Sequence, residues 1–173
     1  STVEHFGAVD VVVNNAANAL AQPLGQMTPE AFAKSFEVNV RGPVFLCQEA
    51  LPHLERSEHA AILNVISAGA FLFSAMVSMY AAGKAAMLSF TRSFAAELAP
   101  KGIRVNALAP GPVDTDMVRA TGPEGAEMMR ASTILGRIAT PDEIVGAALL
   151  LTSDAGSYIT GQAVVVDGGL VPR

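Results

Sequence analysis

The sequence predicts an α/β fold: a parallel sheet with helices on both faces. Three observations point there. Four short β-branched or apolar runs recur along the chain, at Val9–Val13, Ala61–Ile66, Ile103–Leu108 and Ala163–Val166. Such continuous runs are the pattern of strands buried on both faces. Helical stretches with recognisable start signals separate them, and strands alternating with helices give parallel sheets.

The elements are justified in chain order. Val9-Asp10-Val11-Val12-Val13 ends in Asn14-Asn15-Ala16-Ala17 and reads as the first strand. Thr28-Pro29-Glu30 then supplies an N-cap and a proline at the first helical position. Phe32, Phe36 and Val40 share one face of that helix at i, i+4 spacing. Gly42-Pro43 is expected to kink or interrupt it before it resumes toward His53. After the strand at 61–66, a helix is expected from about Tyr80 to Leu98, ended by Pro100 and Gly102. The third strand, 103–108, is broken by Pro110-Gly111-Pro112. Residues 112–139 look irregular or weakly helical, which is long for a structureless loop and suggests a lid. Thr140 and Glu143 stand at capping-box spacing before another helix.

Composition narrows the function. The 173 residues fit a single domain. With 51% hydrophobic and 16% charged residues the chain is globular. Its net charge of −5 and the lack of a basic cluster argue against nucleic-acid binding. The single cysteine, Cys47, excludes an intrachain disulfide, reads as core packing, and fits a reducing compartment. His5, His53 and His59 show no metal-ligand spacing, so no metal is expected. Residues 60–83 are uncharged, but Asn64, Ser67, Ser74, Ser78, Tyr80 and two glycines interrupt them, so no membrane span is expected. With no basic leader at the start, the expected location is the cytoplasm.

The chemistry-bearing residues cluster at predicted strand ends and helix starts. Tyr80 and Lys84 are four apart on one helix face, although such pairs also occur on ordinary surface helices. An ammonium beside a phenol favours the phenolate and suits it to acid–base work. Ser67 ends the second strand, where the carboxyl ends of parallel strands build a ligand crevice. Asn39 lies mid-helix, where asparagine has either a specific hydrogen-bonding role or a local helix-bending one. Asn14-Asn15 and Pro110-Gly111 could each be simple terminators.

Taken together these residues resemble the short-chain dehydrogenase/reductase family, in its compact single-domain form. Asn14-Asn15-Ala16-Ala17 resembles the family's Asn-Asn-Ala-Gly element, with Ala17 in place of glycine. Val38-Asn39-Val40 resembles its catalytic asparagine region, and Tyr80-Ala-Ala-Gly-Lys84 its Tyr-x-x-x-Lys signature, with Ser67 thirteen residues upstream. Arg104-Val105-Asn106 with Pro110-Gly111 and Thr115 resembles the family's next strand and cofactor loop, and the segment from Ile159 to Gly169 resembles its C-terminal strand. The resemblance implies a Rossmann-like fold and an oxidoreductase interconverting a carbonyl and a secondary alcohol with NAD or NADP. It implies Tyr80 as general acid and base, and Lys84 as the group that binds the nicotinamide ribose and lowers the Tyr80 pKa. Ser67 would polarise the carbonyl, and Asn39 would hold a proton-relaying water. Asn15 and Ala16 would lie along the cofactor, and Pro110, Gly111, Val113 and Thr115 at its nicotinamide end.

One departure is large. No glycine-rich strand–turn–helix precedes Val9, so the N-terminal half-sheet is expected to be missing and the strand at 9–13 to be an exposed edge. The alternative function is therefore a truncated, inactive binding or oligomerisation module. A hydrolase using Ser67 is argued against, because there is no Gly-x-Ser-x-Gly elbow and all three histidines precede Ser67, which rules out the α/β-hydrolase order. Self-association as a dimer or tetramer is expected through helices at 29–55 and 80–99, which carry Phe32, Phe36, Phe90 and Phe94. Phe71, Met76 and Met117 on the segments beside the site, with no basic cluster, imply a neutral, mainly apolar small-molecule substrate.

Overall fold

The computed structural model describes residues 2–171. Its elements are α1 (Thr2–Phe6), β1 (Val11–Asn14), α2 (Pro29–Phe36), α3 (Gly42–Leu54), β2 (Ala61–Val65), α4 (Ser78–Leu98), β3 (Arg104–Pro110), α5 (Asp116–Arg119), α6 (Gly122–Ala131), α7 (Asp142–Thr152) and β4 (Ala163–Val166). The four strands form one sheet in the order β1-β2-β3-β4, and every pair is parallel.

Alternation along the strands sorts the core into two layers. Val12, Ile62 and Val105 lie on one face with Cys47, Ala50 and Leu54 of α3 and Ala95 of α4. Further along, Met87 and Leu88 of α4 cover Ala107 and Ala109. On the opposite face Leu63 and Leu108 pack against Leu151 of α7. β2, β3 and β4 are thus covered on both sides, with α3 and α4 on one and α7 on the other, while β1 is covered on the α3 side alone.

The Thr28 hydroxyl accepts from the Ala31 N–H at 3.1 Å and caps α2, with Pro29 in the first turn. The expected interruption before Gly42-Pro43 takes the form of a change in helix type rather than a gap. A π-helical turn at Glu37–Arg41 joins α2 to α3, and the Gly42 N–H reaches back to Glu37 O. Widening the turn here accommodates Pro43, which has no N–H to give to the helix.

Two further expectations need correcting. β1 starts two residues later than the run at Val9, because the neighbouring strand begins at Ala61, opposite Val11. Asp10 instead accepts from the Ser57 hydroxyl at 2.6 Å and, through its carbonyl, from Ala61 N at 3.0 Å. β3 runs on through Pro110 rather than ending at Leu108. Pro110 occupies the strand's last position, where the missing N–H costs little.

The segment 112–139 holds two helices, α5 and α6. Its base is closed by a parallel bridge between Val113 and Ala139, with Asp114 N donating to Ala139 O at 2.9 Å and Ala139 N to Pro112 O at 3.0 Å. At the start of α7 the Glu143 carboxylate accepts from Thr140 N at 2.8 Å and from Arg137 at 2.6 and 2.7 Å. No helix of the described residues is long and apolar enough to cross a membrane.

Candidate active site

The carboxyl end of β2 delivers Ser67, and the first turns of α4 deliver Tyr80 and Lys84. The Lys84 ammonium is buried and donates to Val65 O at 2.7 Å, while lying 5.6 Å from the centre of the Tyr80 ring. Burial brings the Lys84 pKa down to about 8, since a low-dielectric setting disfavours the charged form.

Burial also raises the Tyr80 phenol above its ordinary value, and a hydrogen bond with the Ser67 hydroxyl works in the opposite direction. The expected net lowering of the Tyr80 pKa is therefore not the direction found. Desolvation of the ring dominates, and the phenol is held in its proton-carrying form.

A cleft of about 650 Å³ opens at this end of the sheet. Asn15, Ala16, Tyr80, Lys84, Pro110, Val113 and Thr115, all singled out from the sequence, line it. Three other singled-out residues do not. Gly111 faces away from it: a Cβ there would sit 2.6 Å from Asp167 Cα, so its bare backbone serves close packing against the end of β4. Ser67 is hydrogen-bonded to Tyr80, and its oxygen accepts from Gly69 N at 3.1 Å.

Asn39, the third, is fully buried in the π turn. Its Oδ1 accepts from Asn18 N at 3.1 Å, and its Nδ2 donates to Asn18 O at 2.9 Å and to Asn18 Oδ1 and Ser35 Oγ at 3.2 Å. Its backbone lies close to α4, since a Cβ added at Gly83 would come within 3.2 Å of Asn39 Cβ.

Several residues of this end escaped sequence reasoning. Ile144 and Val145 of α7 form an apolar wall of the cleft together with Val13 of β1. Asn18 is the partner of Asn39. Behind the cleft, Asn14 and Asn64 pair across β1 and β2 at 2.7 Å, and Asn64 donates on to Thr91 at 2.9 Å. Asn64 did carry a signal, because a polar residue inside an otherwise apolar buried strand must find a partner. The arginines of the 112–139 segment are engaged locally, Arg119 with Asp114 and Asp116 and Arg130 with Glu127. Among the described residues no cluster of His, Cys, Asp or Glu could hold a metal.

Comparison with known proteins bears directly on this arrangement. A family model described as enoyl-(acyl carrier protein) reductase matches residues 1–171. The 3-oxoacyl-[acyl-carrier-protein] reductase FabG of Thermotoga maritima is 36% identical over 169 residues, covering 98% of this chain and 69% of that protein. The chain belongs to the short-chain dehydrogenase/reductase family.

An uncharacterized oxidoreductase of Bacillus subtilis (strain 168), YhdF, is 43% identical over 170 residues, which are 97% of this chain and 58% of that protein. The chain thus spans less than two thirds of the length of that family member. Among solved structures it resembles a gluconate 5-dehydrogenase from Burkholderia cenocepacia J2315 in complex with NADP and tartrate. That match has 33% identity and a TM-score of 0.93, over 98% of this chain and 67% of that one. The four parallel strands and their helices are the family's Rossmann-like fold.

Proposed function

We propose that this chain is an NAD(P)-dependent oxidoreductase that interconverts a carbonyl and a secondary alcohol, with Tyr80 as general acid and base. The observation that carries the reading is the pairing of Tyr80 and Lys84, 5.6 Å from ring centre to ammonium, in a cleft that Asn15, Ala16 and Thr115 also line.

The donors present fit a nicotinamide cofactor. Lys84 lines the cleft, and its bond to Val65 O engages only one of the three ammonium N–H donors. The others suit ribose hydroxyls. Asn15 and Ala16 would border the same group from the loop after β1, and Pro110, Val113 and Thr115 from the end of β3 and the loop after it, with Gly111 packed against the end of β4. Bound NAD(H) or NADP(H) supplies the redox chemistry by giving or taking a hydride.

The protein's own work is to place and move a proton. In the reducing direction the Tyr80 hydroxyl, kept protonated by burial, donates to the oxygen of the carbonyl. Ser67 holds the phenol and stabilises its anion, and Lys84 places a positive charge near the ring as that anion forms. In the oxidising direction the same phenol oxygen takes the proton back. All the polar groups of the Asn39 side chain are engaged with Asn18 and Ser35, so its side chain is assigned to holding the segment after β1 rather than a water.

The substrate is a neutral, mainly apolar carbonyl or secondary alcohol. Val13, Ile144, Val145 and Met117 supply the apolar wall, and the nearby lid arginines are paired with carboxylates. The lid at 112–139 closes the single domain's open end. Of the helices expected to mediate self-association, α2 and α3 offer Phe32, Phe45 and Leu46, each about half exposed. Phe90 and Phe94 instead pack toward the protomer core. A cytoplasmic location fits a nicotinamide-dependent enzyme with a single unpaired thiol.

The competing reading, a catalytically inactive oligomerisation module, is favoured by the exposed apolar face of β1. Titration with NADH and NADPH, followed by nicotinamide fluorescence, separates the two. Saturable binding with turnover of ketones supports the enzyme, and no binding supports the module. Because similar proteins are named for an acyl-carrier substrate and for gluconate, the panel should span alkyl ketones, 3-oxoacyl thioesters and sugar acids. A higher kcat/KM for the sugar acids would reject the apolar assignment.

A further inference from the structure

Behind the cleft lies a polar chain that the proton transfer does not use. The Asn14 Nδ2 donates to Asn64 Oδ1 at 2.7 Å, Asn64 Nδ2 donates to Thr91 Oγ1 at 2.9 Å, and the Thr91 hydroxyl donates to Met87 O at 2.8 Å. All three side chains are buried, Asn64 at 1% and Thr91 at 0% exposure. The direction of every link is fixed. Thr91 gives its only proton to Met87 O, so it must accept from Asn64, and turning the Asn64 amide over would set donor against donor. Asn14 and Asn64 are register partners in the sheet, so the chain runs from β1 through β2 into α4.

Its place on α4 matters. Thr91 follows Lys84 by seven residues, two helical turns along the same face. The two residues hold adjacent positions of one strand: Thr91 takes the Asn64 side chain, and Lys84 takes the carbonyl of Val65. The first turns of α4 are rich in small residues, with Ala81, Ala82, Gly83, Ala85 and Ala86. Apolar contact between such a surface and a sheet is non-directional and does not by itself fix the helix along its axis. Directional hydrogen bonds do, and proton transfer is sensitive to displacements of about 1 Å.

We infer that Asn64 and Thr91 are positioning residues of the reaction: their buried chain sets the axial position of α4 on β2, and with it the placement of Lys84 and Tyr80. The inference rests on the proposed roles of Tyr80 and Lys84. Neither Asn64 nor Thr91 lines the cleft, so each acts through the helix.

The test reads Lys84 directly and needs no turnover, so its outcome is separate from whether Tyr80 is the proton donor. The chain has three lysines, 34, 84 and 101. Labelling with [ε-13C]lysine gives three resonances, and Lys84→Met identifies the one from the site. In the parent its midpoint is expected at about 8. Thr91→Val keeps the shape and removes the hydroxyl. As α4 loosens and water reaches the ammonium, the midpoint should rise by about one unit. Thr91→Ser, which restores the hydroxyl, should return it to the parent value. Thr91→Ala provides the same loss of the hydroxyl with less bulk, should the valine pack poorly. Leu151→Ala, a core truncation on the opposite face of the sheet, lowers stability without touching the chain and should leave the midpoint in place. An unchanged midpoint in Thr91→Val and Thr91→Ala would overturn the inference, as would an equal rise in Leu151→Ala.

Discussion

The two faces of β1 carry similar side chains and meet very different surroundings. On one, Val12 is 6% exposed beneath α3, and Asn14 is tied into the chain to Asn64. On the other, Val11 and Val13 remain 37% and 49% exposed, because α7 lies over β2, β3 and β4. The valines are chemically the same, so the difference comes from the helix layer and not from the strand. The covered face fixes the sheet and α4. The open face borders the cleft at Val13.

If that division holds, truncations on the two faces should have unequal effects. Ile62→Ala, beneath α3 and α4, should lower stability by about 3 kcal/mol. Val13→Ala, half exposed, should cost about 1 kcal/mol or less. Urea denaturation of the two variants gives the comparison, and equal losses would break it.

A smaller effect of opposite sign is expected at Lys84, which joins the two faces. Below pH 8 the folded chain buries a charge that the unfolded chain leaves in water. Between about 8 and 10.5 the unfolded chain still binds the proton that the folded chain has released, so stability rises with pH across that window. Lys84→Met should therefore stabilise the protein at pH 7. The shift sets an upper limit of about 3 kcal/mol, and loss of the bond to Val65 reduces the gain to about 1–2 kcal/mol. The gain should fade between pH 8 and 10.5, as followed by thermal melts across pH.

The smallest effect belongs to Glu143, at the exposed start of α7. Arg137 and the Thr140 N–H hold its pKa down to about 2, against 4.5 for the unperturbed group. Its contribution is complete above 4.5 and disappears as pH falls toward 2. Glu143→Gln should lower the melting temperature slightly at pH 7 and converge with the parent in acid. A constant offset at all pH values would mean that the charge has no part in it.

The sheet is legible in the sequence almost residue by residue, since apolar β-branched runs in a parallel sheet have few alternatives. Its ends are less so: the start of β1 depends on where Ala61 begins, a tertiary pairing that Val9 and Asp10 do not encode. Gly42-Pro43 marks the interruption of the α-helix but not its form, because a π turn is a local answer to proline with no simple residue signature. At the site, Tyr80 and Lys84 are suggested by their i, i+4 spacing, whereas Asn15 and Thr115 come only through the family resemblance. Ile144 and Val145 are not legible, because α7 reaches the cleft only through the crossover after residues 112–139. The upward shift of the Tyr80 pKa is also hidden, since it depends on burial and not on the neighbouring lysine.

Everything proposed for the cleft turns on Tyr80 carrying the proton, and the kcat of Tyr80→Phe decides that point. The phenylalanine keeps the ring and removes only the hydroxyl. Turnover of the best ketone in the panel should fall by about 10²–10⁴-fold, with cofactor affinity within about threefold of the parent, since Lys84 and the rest of the cleft are unchanged. Retained turnover in the phenylalanine variant would contradict the assignment, because the proton would then come from another group.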